Sequence, residues 1–350
     1  MAGFGSGLAR RLYRGEVDVD FVGKQKLWYS LSALLLLLSI AGLVVKGGLN
    51  LGVEFTGGSV FSFQAPKAGI EDVRTTFLDQ KVHQVIPQTA GDYWRVTTEP
   101  LPEGKVTQIQ KAIAAEYDLP QKEVNVDLIG ATWGGQVSEK ALIGLGVFML
   151  AIILYLTMAF EWKMALAAIV ALFHDLIITA GVYAWTGFEV TPATVLGFLT
   201  ILGYSLYDAV VVFDMIKEVT AKLGLGSKVT YAQAANDALN HTLIRSLNTT
   251  LVAILPVAAI LFIGTTLLGA GTLKDLSLAL FVGMLVGTYS SLCVATPMLV
   301  TMKEREPKYQ QLARRLGARG AQSKEPRDAP DDKREPVSAN SATTTKRRKK

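Results

Sequence analysis

The chain has 350 residues, half of them hydrophobic and only 19% charged, with a net charge of +5. Its mean hydropathy is +0.32, which excludes an ordinary soluble globule as a reading of the whole chain. The basic excess gathers in flanks and tail without interleaved aromatic residues, so no nucleic-acid partner is expected, whereas anionic lipids near the basic flanks are.

Apolar runs of about 18 to 25 residues, long enough to cross roughly 30 Å of hydrocarbon, recur along the chain. They lie near Leu27–Val45, Leu142–Phe160, Met164–Trp185, Ala193–Phe213, from about Leu239 to Phe262, and Leu276–Val300. Residues 1–26 precede the first run and carry Arg10, Arg11, Arg14, Lys24 and Lys26. That run, residues 27–46, is long for the apolar region of a signal peptide, and "VVKGGLN" is not a small-residue cleavage site, so it is expected to stay as a helix. Lys217, Lys222 and Lys228 follow the fourth run, and Lys303, Arg305, Lys308 and "KRRKK" follow the sixth. The bias of basic residues toward these flanks predicts that both termini are cytoplasmic.

Residues 47–140 then form a domain outside the cytoplasm. "SVFSFQ" and "YWRVTTE" alternate as strands do, "AGIEDVRTTFLDQ" and "GKVTQIQKAIAAEYDL" have helical spacing, and "EVNVDLIG" reads as a last strand. The order β-α-β-α-β predicts a small ferredoxin-like α/β domain. His83 stands alone and "FTGGS" lacks a following lysine, so neither a metal site nor a phosphate loop is expected. Gly57 and Gly58 in that stretch suit a positive φ or a close backbone approach, as a hinge or as a plain turn.

Residues 141–304 hold the remaining helices, and here the ionisable residues matter most. Asp208 lies deep in the fourth run, His174 and Asp175 near the middle of the third, and Arg245 inside the fifth, while Asp214 sits at the cytoplasmic boundary. Charges at such depth are costly, face the bundle interior or a wet cavity, and usually mark an ion or substrate route. Two readings fit Asp208: a satisfied pair with Arg245 that fixes packing, or a proton carrier on which burial and a nearby cation act in opposite senses. His174, Asp175, Tyr204, Ser205, Thr242 and Asn248 could hold water beside it or serve as interhelical glue. Gly283 and Gly287 have small-xxx-small spacing, suited to close packing within the chain or against a partner. Cys293 has no mate, so no internal disulfide can form. Residues 305–350 form a basic tail predicted to be disordered, most clearly beyond Ala318.

"GVEFTGGS", "ALFHDLIITAG", "LGYSLYDAVVVFDMIKE", "ALNHTLIRSLNTTL" and "GMLVGTYSSLCVATPML", in this order, resemble the SecF family of protein-export membrane proteins, within the resistance-nodulation-division superfamily. The family usually has Asn at the position of Tyr207 and Arg at that of Met215. The resemblance implies a six-helix membrane protein of the prokaryotic cytoplasmic (inner) membrane, paired with SecD and associated with the SecYEG channel. It implies that the proton-motive force pulls or releases exported polypeptide chains on the outer side. Protons would then be the coupling ion, without a cofactor and without enzymatic chemistry, and Asp208 and Arg245 would form the proton pathway. Two rivals remain: an intramembrane aspartyl protease, whose Gly-x-Gly-Asp half is missing because "GAGTLKD" has the wrong spacing, and a lipid or drug exporter of the same superfamily, which would normally be twice this size.

Overall fold

The computed structural model describes residues 19–322 except 84, 91, 225 and 265–270. Helix α1 (Gln25–Val45) is apolar almost all round and stops at Gly47 and Gly48, which take φ of 74° and 114°, values that favour glycine. A single turn α2 (Val53–Thr56) follows. Next come β1 (Gly58–Gln64), α3 (Ile70–Asp79), β2 (Val85–Ala90), β3 (Tyr93–Thr98), α4 (Glu103–Glu116) and β4 (Asn125–Ile129). The four strands form an antiparallel sheet ordered β2-β3-β1-β4, which is the β-α-β-β-α-β ferredoxin-like topology. The sequence showed no separate β2. Residues 85–90 contain Pro87 and Gln88 and lie on the sheet edge, where a proline is tolerated and the apolar alternation is weak.

The domain core joins Phe61, Phe63, Trp94 and Val96 of the sheet to Val73, Phe77, Ile109 and Ile113 of the two helices. Phe61 and Phe77 meet edge to face at 5.2 Å, a favoured ring geometry. Alternation leaves Arg95 and Thr97 on the opposite face of β3, turned toward the membrane helices.

Helix α5 (Ala131–Ala159) begins inside the stretch read as the soluble domain, so its first turns extend beyond the apolar run. It is followed by α6 (Trp162–Thr186), which ends on Gly187 in the left-handed region, and by α7 (Pro192–Ala221), capped by Thr191. Helix α8 (Tyr231–Ala259) passes into a π turn at Ile260–Gly264. The last rod joins α9 (Gly271–Ser290), a π turn (Ser291–Ala295) and α10 (Thr296–Glu304). Among the described residues, six helices are therefore long and apolar enough to cross a membrane.

Two expectations are corrected. Helix α8 starts at Tyr231 rather than near Leu239, because its polar first turns have partners: the Asn236 and Asn240 side chains accept 2.9 Å hydrogen bonds from Phe21 N and Val19 N. Residues 307–322, read as part of a disordered tail, form helix α11 (Pro307–Gln322), held near its start by the 2.8 Å pair of Glu306 with Lys163. Lys303, counted as a tail base, is buried and paired with Glu161 and Glu306. Residues 1–18 and 323–350 of the two terminal segments lie outside the described residues.

The domain is tied to the bundle just after α1. Leu51 bridges Val190 in the loop between α6 and α7, with Gly52 N to Val190 O at 2.9 Å and Val190 N to Asn50 O at 2.7 Å. Gly57 and Gly58 take φ of 77° and 155°, and a Cβ on Gly58 would lie 2.5 Å from Thr98 O, so both glycines are required by backbone conformation or close approach. Gly283 and Gly287 pack within the chain: a Cβ on Gly283 would collide with Ile201, and one on Gly287 would stand 3.0 Å from Ser205 Cβ. Gly283→Val should therefore overpack the α7–α9 contact and lower the unfolding free energy of the purified chain by about 1–3 kcal/mol. An unchanged melting temperature in detergent would contradict this packing.

Candidate functional site

Asp208 is buried on α7 between α8 and the last rod. Its Oδ1 accepts a hydrogen bond from Ser246 and its Oδ2 one from Ser291. Ser291 opens the π turn Ser291–Ala295, a feature that often marks functional sites in helices. One residue earlier, the Ser290 hydroxyl donates 2.8 Å to Asp175 Oδ2, and Ser205 donates 2.6 Å to the same oxygen. Asp175 Oδ1 meets His174 Nδ1 at 3.1 Å. Ser205 and Asp208 are three apart and so share one face of α7.

Two buried carboxyl groups thus lie in one polar chain, linked by the neighbouring Ser290 and Ser291. The chain continues past Asp208: Ser246 O accepts from Thr250, whose hydroxyl meets Thr288 at 2.7 Å and receives the Tyr204 hydroxyl at 2.9 Å. At the other end, His174 Nε2 is buried without a hydrogen-bond partner. His174 also lines a groove of about 660 Å³ between α1, α6 and the last rod, with Tyr29, Phe173, Met298 and Arg305.

Serine hydroxyls both donate and accept. Ser246 and Ser291 can therefore donate to an ionised Asp208, and either can turn to accept when the carboxyl is protonated. The arrangement can hold a proton and let it go without losing its buried hydrogen bonds.

The expected Asp208–Arg245 pair is not formed within this chain. Successive helical residues are about 100° apart, so Ser246 on the inward face of α8 turns Arg245 outward, where it is exposed together with Asn248. Thr242 is buried but bonds back to Ala238 O at 3.1 Å, which is helix-internal. Asp214 is exposed farther along α7. The structure brings together Asp208, Ser205, Asp175, His174 and Tyr204, and leaves Arg245, Asn248, Thr242 and Asp214 apart from them. Ser246, Ser290 and Ser291 went unnoticed in the sequence. The one signal was a hydroxyl pair, "YSS", inside an otherwise apolar helix. Among the described residues, no group of three or more His, Cys, Asp or Glu could hold a metal ion.

Fold and site together define a class: a multi-pass membrane protein with six spanning helices among its described residues, a ferredoxin-like domain after the first of them, and a serine-held carboxyl in the fourth. Residues 109–305 match the family described as protein export membrane protein SecD/SecF, C-terminal, and residues 42–65 match the SecD/SecF GG motif. The chain is 48% identical over 319 residues to the protein translocase subunit SecF of Streptomyces coelicolor, covering 90% of this chain and 85% of that one. It is 40% identical over 307 residues to the SecF of Mycobacterium tuberculosis, covering 84% and 69%. The fold matches the crystal structure of SecDF, a translocon-associated membrane protein from Thermus thermophilus, with a TM-score of 0.74 and 30% identity over 85% of this chain. It spans 42% of that longer protein. The chain belongs to the SecF family of protein translocase subunits, prokaryotic membrane proteins auxiliary to the Sec translocase, and the exporter and protease readings are not favoured.

Removing one serine should expose the difference between these groups. Ser291→Ala strips a buried carboxyl oxygen of its donor and should cost about 1–3 kcal/mol, read as a lower melting temperature of the isolated chain. Arg245→Met, on the exposed face, should leave that temperature unchanged. Equal damage from both would mean that Arg245 braces Asp208.

Proposed function

We propose that the chain works with a SecD partner beside the SecYEG channel and uses the proton-motive force to promote export of polypeptide chains on the outer side. Asp208 is the group that takes up and releases the proton, protons are the coupling ion, and no cofactor and no catalytic step is assigned. The observation that carries this reading is the Asp208 carboxyl, buried at membrane depth and held by hydroxyl groups alone. Among the described residues no cation acts on a carboxylate there to keep it charged, so its charge depends on what approaches from outside.

Arg245 supports the partner. It lies about 20 Å along α8 from Tyr231 at 1.5 Å per residue, exposed on the surface of a spanning helix. A guanidinium at that depth does not face hydrocarbon. It belongs against another subunit, where an acid of SecD would answer it, and a rearrangement there would change the field at Asp208. The SecDF relative from Thermus thermophilus, of which this chain covers 39%, would carry both halves in one polypeptide.

The basic flanks support a cytoplasmic placement of both termini in the inner membrane of the cell. Lys217, Lys222 and Lys228 are exposed on that rim and are free to meet anionic lipid headgroups. The ferredoxin-like domain then stands outside, where exported chains emerge.

Asp208→Asn tests the proposal. The amide keeps the shape and can satisfy both serines, so the complex should remain folded, while export of a secreted reporter from membrane vesicles loses its stimulation by an imposed proton gradient. A variant complex that still responds to the gradient would overturn the assignment.

A further inference from the structure

The joint between the ferredoxin-like domain and the bundle contains a second set of buried ionisable groups, remote in the fold from Asp208. Glu189, in the loop between α6 and α7, is 1% exposed. It lies beside Val190, the residue bridged to Leu51, and next to the Thr191 cap of α7. Neither of its carboxyl oxygens has a hydrogen-bond partner of good geometry. The domain faces it with Thr97 and Arg95, both on the β3 face away from the domain core, and with Glu54 on α2. Thr97 Oγ1 and Glu54 Oε2 are buried and likewise lack a partner of good geometry, although the Thr97 hydroxyl is close enough to act on Glu189.

The charges around Glu189 do not balance. Arg95 is the cation acting on it, and Arg95 already holds Glu54 Oε1 at 3.3 Å. From the bundle, Asp275 on α9 adds a third carboxyl that senses Glu189, Glu54 and Arg95. Lys274 acts on Asp275, with its ammonium lying over the Phe188 ring at 4.5 Å, and is not among the charges acting on Glu189. Tyr183 donates to the Asp275 backbone carbonyl and so leaves the carboxyls unaided. Burial pushes the Glu189 carboxyl above its ordinary range and outweighs the rest: Arg95 pulls it back, Glu54 pushes it up again, and the Thr97 hydroxyl acts against the rise. An ionised Glu189 would be a buried anion sharing a single guanidinium with another acid, a cost that the protonated carboxyl avoids.

We propose that Glu189 is a proton-binding site separate from Asp208, which keeps the ferredoxin-like domain docked on the membrane bundle while protonated and loosens it when ionised. A carboxyl whose affinity for protons is higher docked than free binds more protons in the docked state, so docking is favoured at low pH and weakens as pH rises through the docked-state value. With the domain outside the cytoplasm, as in the functional reading above, the acid side of the proton gradient would hold it docked.

The test uses the full chain in lipid nanodiscs with Cys293→Ala and spin labels at two exposed positions, Thr75→Cys on α3 and Thr186→Cys at the end of α6. Their separation is followed by pulsed electron spin resonance from mildly acidic to mildly alkaline pH. The expected result is one short distance at acid pH that lengthens or broadens on the alkaline side, and a Glu189→Gln chain that keeps the short distance throughout. If Glu189→Gln fails to assemble, Arg95→Met carries the test, because losing the cation that lowers the proton affinity of Glu189 should move the midpoint of the transition to higher pH. A distance independent of pH in the unmodified chain, a response that survives Glu189→Gln, or an Arg95→Met midpoint that stays or falls would each overturn the proposal. Asp208→Asn should leave the response intact, so failure of the proton-carrier reading and failure of this one are told apart.

Discussion

A carboxyl group at membrane depth must be held by groups that serve it with and without its charge, and the packing of the bundle follows from that constraint. Asp208 satisfies it with Ser246 and Ser291, which come from two different helices. Both helices must approach α7 closely. On the last rod this is achieved by Gly283 and Gly287 against Ile201 and Ser205, and by a π turn that opens at Ser291. Ser290 then reaches Asp175 while Ser291 reaches Asp208. The spacing of four small residues along one rod thus connects two acids on two neighbouring helices.

The same economy of contacts governs how the soluble domain meets the bundle. The linker after α1 is not loose chain: it pairs with the loop between α6 and α7 through Val190 and turns through Gly57 and Gly58 into β1. One face of the sheet is covered by its own helices, and the other carries Arg95 and Thr97 toward Glu189. A displacement of the domain would be felt first at Glu189 and Val190, and these residues lead directly into α7, the helix that carries Asp208. The two polar sites are therefore joined by a single rigid element.

Much of this was legible in the sequence, because spanning helices announce themselves by length and hydropathy, and Asp208 stood out as a charge in an apolar run. The ferredoxin-like reading rested on alternation and survived the missed edge strand. What the sequence could not show was direction around a helix. Arg245 and Ser246 are neighbours in the chain, and the charge is the more conspicuous candidate partner for Asp208, whereas the hydroxyl faces it. The start of α8 is hidden in the sequence for a related reason: residues 238–248 look polar for a spanning helix, and only the bonds of Asn236 and Asn240 with the backbone at Phe21 and Val19 show what partners its first turns. Glu189 gave no signal at all, since a single acid in a short loop reads as solvated.

The central claim is that Asp208 changes protonation while its serine partners hold it in place. Infrared difference spectroscopy of the complex with its partner, recorded across a pH jump, observes the carboxyl directly through its protonated C=O stretch. The account predicts a protonated-carboxyl band that appears and disappears with pH, shifts when Ser246 or Ser291 is replaced by alanine, and is missing from Asp208→Asn. A band unaffected by loss of Asp208, or no pH-dependent carboxyl band at all, would contradict it.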